Sequence, residues 1–395
     1  FFPGFPISPD CYNPFRHRIR MATSVHLPRV NPCFVTHNLA LGGAQTAVLR
    51  YISALPEWVR ERTTLYSQSS DMPLLDAAEK SGFSCGAVTR EAPIDPSSWF
   101  LSYGDLSGLP QRPTSLVLHS WDDAGWRFIN RAYDNLHGMT VAGVSQKVLD
   151  RYAGWAREKN HRVVGVMTPP VSEFAAAKGE YDIKGRLVVG WMGRPLESKG
   201  ILSLPYLLAA EPRMVIRAWT GADTAGLEYT QRTQAEALAK VKALAEKLGV
   251  SDRLDLRPLD FNPFNYRHRL DGCHVLLGNS EKEGFLLTAA EALSCGIPVV
   301  VTKTCGIADL VKNGYNGYVI DWHANPQKLA KAAHSALLKA AQIPGINCLA
   351  SAANLSLGAN YAAAHRNILA EMTGTALFHS EARVTVGLRI HKGTD

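Results

Sequence analysis

The sequence lacks what several classes of protein need. Its 395 residues include only seven cysteines, an odd and scattered set without a Cys-x2-Cys pair. That pattern argues against a disulfide framework or a zinc site and favours a reducing compartment. No apolar run approaches the roughly 18 residues of a transmembrane helix. An Asp-x-Asp metal motif, an internal repeat and a low-complexity tract are also missing.

The composition is that of a globular protein, with 46% hydrophobic and 19% charged residues. The length suffices for two α/β domains with cores of their own. A net charge of +7 favours anionic partners, which include phosphates, nucleic acid and anionic lipid. Residues 1–6 lack a basic segment and a continuous apolar core, so we expect no signal peptide. We expect a cytoplasmic protein, either free or in peripheral contact with the inner face of a membrane through the basic cluster Arg16–Arg20.

Strand and helix patterns alternate along the chain. Strands are predicted at 32–37, 62–66, 115–119, 141–145, 163–167, 186–192, 214–219, 254–257, 274–277 and 297–302. Helices are predicted from Gly42 to Leu55, at 146–155, 233–248 and 286–295, and, after Asp321, at 326–337 and 352–372. Residues 175–184 are the expected interdomain linker. The alternation indicates an α/β fold with parallel sheets.

The stretch from Asp271 to Asp321 carries the strongest signal. It contains a strand, a polar loop with Glu283, a helix with Glu291, and a second strand that begins after Gly296. Loops at the carboxyl ends of strands bind ligands in open α/β sheets. Free backbone N–H groups at the start of the helix suit a phosphate or a sugar oxygen.

The same stretch resembles retaining glycosyltransferases of family 4. The resemblance rests on Glu283-Gly284-Phe285-Leu286-Leu287-Thr288-Ala289-Ala290-Glu291, which matches their Glu-x7-Glu signature, and on Asn313-Gly314-Tyr315-Asn316-Gly317 downstream. The family usually has a second glycine where this chain has Leu286. We expect this leucine to narrow the sugar pocket.

A second loop, Gly193-Arg194-Pro195-Leu196-Glu197-Ser198-Lys199-Gly200, follows a predicted strand. It is not a P-loop, because Lys199 precedes the glycine instead of following it. It resembles the diphosphate clamp of the same family. An arginine fork and a lysine point charge suit two phosphates.

Two features of the first half resemble the family more loosely. Gly42-Gly43 lies at a strand-to-helix turn where backbone can approach an anion closely, although Gln45 stands where the family has an acidic residue. His119 ends an apolar strand and resembles the histidine of the family's N-terminal domain. Asp122-Asp123 is interpreted as solvated or as a helix cap.

The resemblance implies the GT-B architecture, in which two Rossmann-like domains face a cleft. It implies an irregular segment 1–28, an acceptor-side domain 29–178, a nucleotide-sugar domain 179–345, a helical segment 346–372 that crosses back to the first domain, and an extension 373–395. The implied catalytic residues are His119, Glu283, Arg194 and Lys199. The implied donor-binding residues are Gly42, Gly43, Arg194, Lys199, Glu283, Gly284, Phe285, Leu286, Leu287, Thr288 and Glu291.

The resemblance also implies a function. A hexose would move, with retention of configuration, from a UDP- or GDP-sugar to a hydroxyl acceptor in polysaccharide or glycolipid synthesis, without a metal or a cofactor. Three alternatives stay open: transfer to modified DNA bases, which the basic charge favours, a sugar-nucleotide epimerase, and a sugar-nucleotide-binding protein without catalysis.

Overall fold

The structure, a computed structural model, describes residues 33–36, 43–54, 60, 63–67, 79, 84–87, 99–101, 115–121, 127, 133–171, 185–220, 228–258, 264 and 266–357. Predictions for Gly42, Asp122-Asp123, Arg16–Arg20, the linker and the C-terminal extension therefore lie outside the described residues. Within the described part, no helix combines the length and apolar character needed to span a membrane.

Seven parallel strands form the first sheet, in the order β3-β2-β1-β4-β5-β6-β7. They are β1 (Cys33–Thr36), β2 (Thr64–Ser67), β3 (Ser84–Ala87), β4 (Trp99–Leu101), β5 (Ser115–Leu118), β6 (Thr140–Gly143) and β7 (Arg162–Val166). Helices α1 (Gly43–Ser53) and α2 (Gln146–Glu158) belong to this half. Every residue of β5 and β6 is buried, as expected for parallel strands covered on both faces. We call residues 33–171 the N-terminal half.

Six parallel strands form the second sheet, in the order β10-β9-β8-β11-β12-β13. They are β8 (Leu187–Met192), β9 (Met214–Trp219), β10 (Leu254–Arg257), β11 (Val275–Gly278), β12 (Val299–Thr302) and β13 (Gly317–Ile320). The helices are α3 (Leu204–Ala210), α4 (Glu228–Lys247), α5 (Arg267–Leu270), α6 (Leu287–Ser294), α7 (Pro326–Ala340) and α8 (Gly345–Leu357). We call residues 185–357 the C-terminal half.

Helix ends follow local chemistry. Ser145 caps α2 by accepting a hydrogen bond from the Val148 N–H, and Asn325 caps α7 in the same way, with proline at the first helical position. Gly249 and Gly296 adopt positive φ angles of 63° and 75° after α4 and α6. Only glycine takes such angles without strain, and both predicted helix ends are confirmed.

Predicted strands match the structure to within one or two residues, but β3, β4 and β13 were not predicted from the sequence. The last predicted helix, 352–372, begins earlier, at Gly345, and is described as far as Leu357. This part packs against α6, and the Ser351 hydroxyl accepts a hydrogen bond from Asn316, so it belongs to the C-terminal half. The crossing to the N-terminal half, if made beyond residue 357, lies outside the described residues.

Candidate active site

The C-terminal half changes strand order between β8 and β11, because β9 and β10 lie on one side and β12 and β13 on the other. Ligands bind at such a switch point in doubly wound sheets. The two loops that leave β8 and β11, residues 193–200 and 279–286, meet there. The Glu281 N–H donates to the Ser198 carbonyl at 2.7 Å, so the loops are joined through their backbones.

Asn279 holds these loops together and is fully buried. Its amide nitrogen donates to the Gly200 carbonyl at 3.1 Å and to the Ser203 hydroxyl at 2.7 Å, while its oxygen accepts from the Trp191 indole. Gly200 has a φ of 75°, and a Cβ added there would lie 2.5 Å from the Asn279 carbonyl oxygen. Glycine is therefore required next to Lys199 by both conformation and space.

Lys199 and Glu283 meet at this switch point. The lysine Nζ lies 2.5 Å from Glu283 Oε1, and the two side chains are 18% and 22% exposed. The Ser280 hydroxyl donates to the same carboxylate oxygen at 3.0 Å. The sequence placed both residues in the site, and the structure brings them together as an ion pair that faces partly to solvent.

Leu286 adopts a left-handed conformation, with φ 79° and ψ 74°, immediately before α6. A non-glycine residue there costs about 1–2 kcal/mol, which explains the glycine usual at this position in the family. The side chain is 9% exposed and is directed at the sheet, since a Cβ added at Gly278 would lie 2.3 Å from Leu286 Cδ2. Leu286 thus belongs to the buried core beside Gly278. Its expected effect on the sugar pocket stays a prediction.

Residues of the N-terminal half contact the loop that carries Glu283 and Gly284, and backbone atoms take part in these contacts. A Cβ added at Gly284 would lie 1.7 Å from the His119 carbonyl oxygen. The Ser145 hydroxyl donates to the Gly284 carbonyl at 2.6 Å, and the Trp121 indole donates to the Glu283 carbonyl at 2.9 Å. Lys147 and Asp309 form a further ion pair between the halves. Residues from both sheets therefore surround the Glu283 loop.

His119 lies at the carboxyl end of β5, as the sequence predicted, and its backbone contacts the Glu283 loop. Burial lowers the pKa of its imidazole from 6.5 to about 4. The ring is therefore neutral at pH 7, where it can exchange hydrogen bonds with hydroxyl groups but carries no charge.

Glu291 lies one turn into α6 and is 3% exposed. Its Oε1 accepts a hydrogen bond from the Arg50 guanidinium of α1 at 2.5 Å. This ion pair joins the two halves in their interior.

The other predicted site residues lie in the loop after β8 and at the starts of α1 and α6. Arg194 is exposed on the loop after β8, and Gly43 opens α1. Phe285, Leu287 and Thr288 flank the start of α6, where the phenylalanine is buried and the other two are partly exposed. Among the described residues, no group of three or more His, Cys, Asp or Glu side chains is arranged to hold a metal ion.

Sequence reasoning predicted His119 but missed Trp121 and Ser145, which also contact the Glu283 loop, and Arg50, which contacts Glu291. Their partners are 139 to 241 positions away in the chain, so no local pattern marks them. The sequence offered one signal for Arg50. This arginine interrupts an apolar segment of α1, Ala47-Val48-Leu49-Arg50-Tyr51-Ile52.

Comparison with known proteins agrees with this geometry. Residues 225–342 match the family model for glycosyl transferases group 1. The matched segment lies within the C-terminal half. A D-inositol 3-phosphate glycosyltransferase from Streptomyces bingchenggensis is 30% identical over 192 residues, which cover 44% of this chain and 39% of that protein. The chain thus spans about two fifths of that curated relative.

Solved structures share the whole architecture. Anabaena HepE in complex with UDP-glucose has a TM-score of 0.66 at 16% identity, covering 88% of this chain and all of that one. Sucrose-phosphate synthase from Thermosynechococcus elongatus has a TM-score of 0.62 at 15% identity, covering 86% and 97%. At these identities the likeness shows the fold, which is GT-B with two Rossmann-like sheets.

Proposed function

We propose that the protein is a retaining glycosyltransferase that moves a hexose from a UDP- or GDP-sugar to a hydroxyl acceptor, in the synthesis of a polysaccharide or glycolipid. The observation that carries the proposal is the Lys199–Glu283 ion pair at the switch point of the second sheet, with the His119 carbonyl and the Trp121 indole of the N-terminal half in contact with the backbone of the Glu283 loop. A cation and a carboxylate side by side suit the two ends of a sugar diphosphate.

The chemistry requires stabilisation of negative charge on the departing diphosphate. Lys199, Arg194 and backbone N–H groups at the start of α6 would provide it, so the proposal includes no metal and no cofactor. Glu283 would accept hydrogen bonds from sugar hydroxyls, and neutral His119 would bind the sugar from the opposite side. Gly43 would lie beside the phosphates.

The proposed reaction occurs on one face of the sugar. The bond between the anomeric carbon and the diphosphate oxygen breaks, and the acceptor oxygen bonds to the same carbon from the same side. The acceptor proton passes to the departing phosphate oxygen, so no separate base is required. Glu291 would accept hydrogen bonds from the ribose.

Two observations bear on the identity of the acceptor. The Streptomyces relative is a D-inositol 3-phosphate glycosyltransferase, so an inositol phosphate is a candidate acceptor beside glycans and glycolipids. A net charge of +7 suits an acceptor that carries phosphate.

The test begins with a thermal-shift screen of UDP- and GDP-sugars, followed by radiolabelled donors with glycan, glycolipid, inositol phosphate and modified-DNA acceptors. Transfer, hydrolysis and isomerisation are scored separately, and the anomeric configuration of the product is determined by NMR. We expect transfer to a glycan, glycolipid or inositol phosphate with retention, unchanged by EDTA.

Each alternative has its own outcome. Isomerised donor without an acceptor would show an epimerase, and binding without turnover on any acceptor would show a binding protein. Transfer to modified DNA would show the third alternative. Activity lost in EDTA and restored by magnesium or manganese would contradict the metal-free mechanism.

A further inference from the structure

The ion pair between Arg50 and Glu291 is the most deeply buried contact between charged groups of the two halves. Their side chains are 2% and 4% exposed, and the nitrogen–oxygen distance is 2.5 Å. Arg50 projects from the second turn of α1, and Glu291 projects from α6, 241 positions later. Two charges at this depth require excellent geometry to offset their desolvation.

A buried tyrosine fixes that geometry. The guanidinium carbon of Arg50 lies 4.8 Å from the ring centroid of Tyr266, so the cation rests over the ring. The Tyr266 hydroxyl is hydrogen bonded to the Ser294 hydroxyl at 3.0 Å, three residues after Glu291 on α6. Helix α6, which carries Glu291, therefore also fixes the plane of the Arg50 guanidinium through Tyr266.

The carboxylate is only half satisfied. Glu291 Oε1 receives Arg50, whereas Oε2 is buried without a hydrogen-bond partner among the described residues. A buried acceptor left unpaired is costly and is rare in native proteins. Oε2 is therefore left for a ligand that donates hydrogen bonds.

We propose that Arg50 is a positioning residue for nucleotide recognition: it holds Glu291 Oε1 so that Oε2 faces the ribose hydroxyls of the donor. This inference rests on the proposed function and extends it, because it makes ribose recognition depend on a residue of the N-terminal half. One helix, α1, then serves two parts of the donor, with its start near the phosphates and its second turn behind the ribose.

The test compares ribonucleotides with deoxyribonucleotides. Thermal shift selects the nucleotide that stabilises the wild type most among UDP, GDP and ADP. Calorimetric titration then compares it with its 2′-deoxy and 3′-deoxy forms. We expect the wild type to bind the ribonucleotide about 10-fold more tightly than at least one deoxy form, the size of a hydrogen bond to a charged acceptor.

Arg50→Met should reduce this preference to about 2-fold or less, with little change in affinity for the deoxy form. If Arg50 had only a structural role, Arg50→Met would weaken binding of the ribonucleotide and of both deoxy forms equally, and the ratio of their affinities would stay the same. Lys147→Met is the matched control, since it removes another cation that joins the halves and should keep the full preference.

Removal of one buried partner can prevent folding, so a second comparison is included. Arg50→Met/Glu291→Gln should have the same affinity and the same ribose preference as Glu291→Gln alone, because Arg50 acts only through the carboxylate. Weaker binding by the double variant would overturn the inference.

The remaining outcomes are distinct. A wild type that binds the nucleotide without ribose preference, or an Arg50→Met protein that keeps the preference, would overturn the role of Arg50 and leave the proposed function standing. A wild type that binds none of the three nucleotides would overturn both.

Discussion

The two halves share a doubly wound topology but contribute to the site in different ways. The C-terminal half supplies ionisable side chains, Lys199 and Glu283, from adjacent loops of one sheet. The N-terminal half approaches the same loop mainly with backbone and neutral groups, the His119 carbonyl and the Ser145 hydroxyl among them. Among the described residues, two cations of the N-terminal half depart from this pattern: Arg50 carries a buried charge across the interface, and Lys147 pairs with Asp309.

The difference suggests a division of labour. Under the proposed function, the charged groups on the loops of the C-terminal half bind the charged nucleotide. Neutral contacts from the other half can orient the sugar and exclude water after closure, when they complete the site. The predictions that follow test these contributions of the two halves.

The largest effect is expected from Lys199→Ala, which removes the cation at the switch point. Transition-state stabilisation should fall by about 2–4 kcal/mol, or roughly 30- to 1000-fold in kcat/KM. Lys240→Ala is the control, since Lys240 forms a 2.6 Å pair with Glu197 that is 60% and 56% exposed. Wild-type turnover in folded Lys199→Ala would remove this lysine from the mechanism.

Gly284→Ala tests the contact of the halves. Its Cβ would lie 1.7 Å from the His119 carbonyl oxygen, so the backbones must separate. We expect kcat to fall about 100-fold, because a displacement of about 1 Å costs that much. X-ray scattering should show a larger radius of gyration. Gly154→Ala on α2, where nothing lies within 4 Å of the new Cβ, should have neither effect. Unchanged turnover in Gly284→Ala would show that this approach is not required.

Leu286→Gly changes the free energy of unfolding in two opposing ways. Removal of a buried leucine costs about 2–5 kcal/mol, while glycine relieves about 1–2 kcal/mol of left-handed strain. The free energy of unfolding, measured by denaturant titration, should therefore fall by up to about 4 kcal/mol. A more stable variant would mean that strain at Leu286 exceeds the value of its packing against Gly278.

The smallest effect concerns acid sensitivity of the N-terminal half. Burial lowers the pKa of both His119 and His161 from 6.5 to about 4. The unfolded chain then binds more protons than the native one between these values, so stability is full above pH 6.5 and falls as the pH decreases toward 4. Guanidinium midpoints at pH 7.5 and 5.0 should show the decrease.

His161→Asn should lessen that pH dependence. The asparagine oxygen can replace His161 Nδ1, which accepts a hydrogen bond from the Met139 N–H at 3.1 Å. Equal midpoints at both pH values in the wild type would contradict the assigned burial of the two rings.

The sequence was most informative where the site is contiguous. Glu283, Gly284 and Glu291 fall within nine positions, and the strand and helix around them follow from apolar runs and Gly296. Lys199 was singled out because its loop, which follows a predicted strand, resembles the diphosphate clamp of family 4. The all-parallel α/β fold followed from the same alternation.

Contacts between distant segments could not be predicted in this way. Neither the pairing of Arg50 with Glu291 nor the hydrogen bond from Trp121 leaves a trace in local periodicity. The side-chain direction of Leu286 depends on the space above Gly278, which only the packed structure reveals. Strand β4 has only three residues, and β3 and β13 each include a glycine, so the apolar pattern of each strand is short or interrupted.

The most direct measurement of the division of labour is steady-state kinetics of His119→Ala and Glu291→Gln on the donor that the screen identifies. Ribose contacts are the same before and during the reaction, whereas sugar contacts change. Glu291→Gln should therefore mainly raise the donor KM, and His119→Ala, like Glu283→Gln, should mainly lower kcat. An unchanged kcat in His119→Ala together with an abolished kcat in Glu291→Gln would contradict the account.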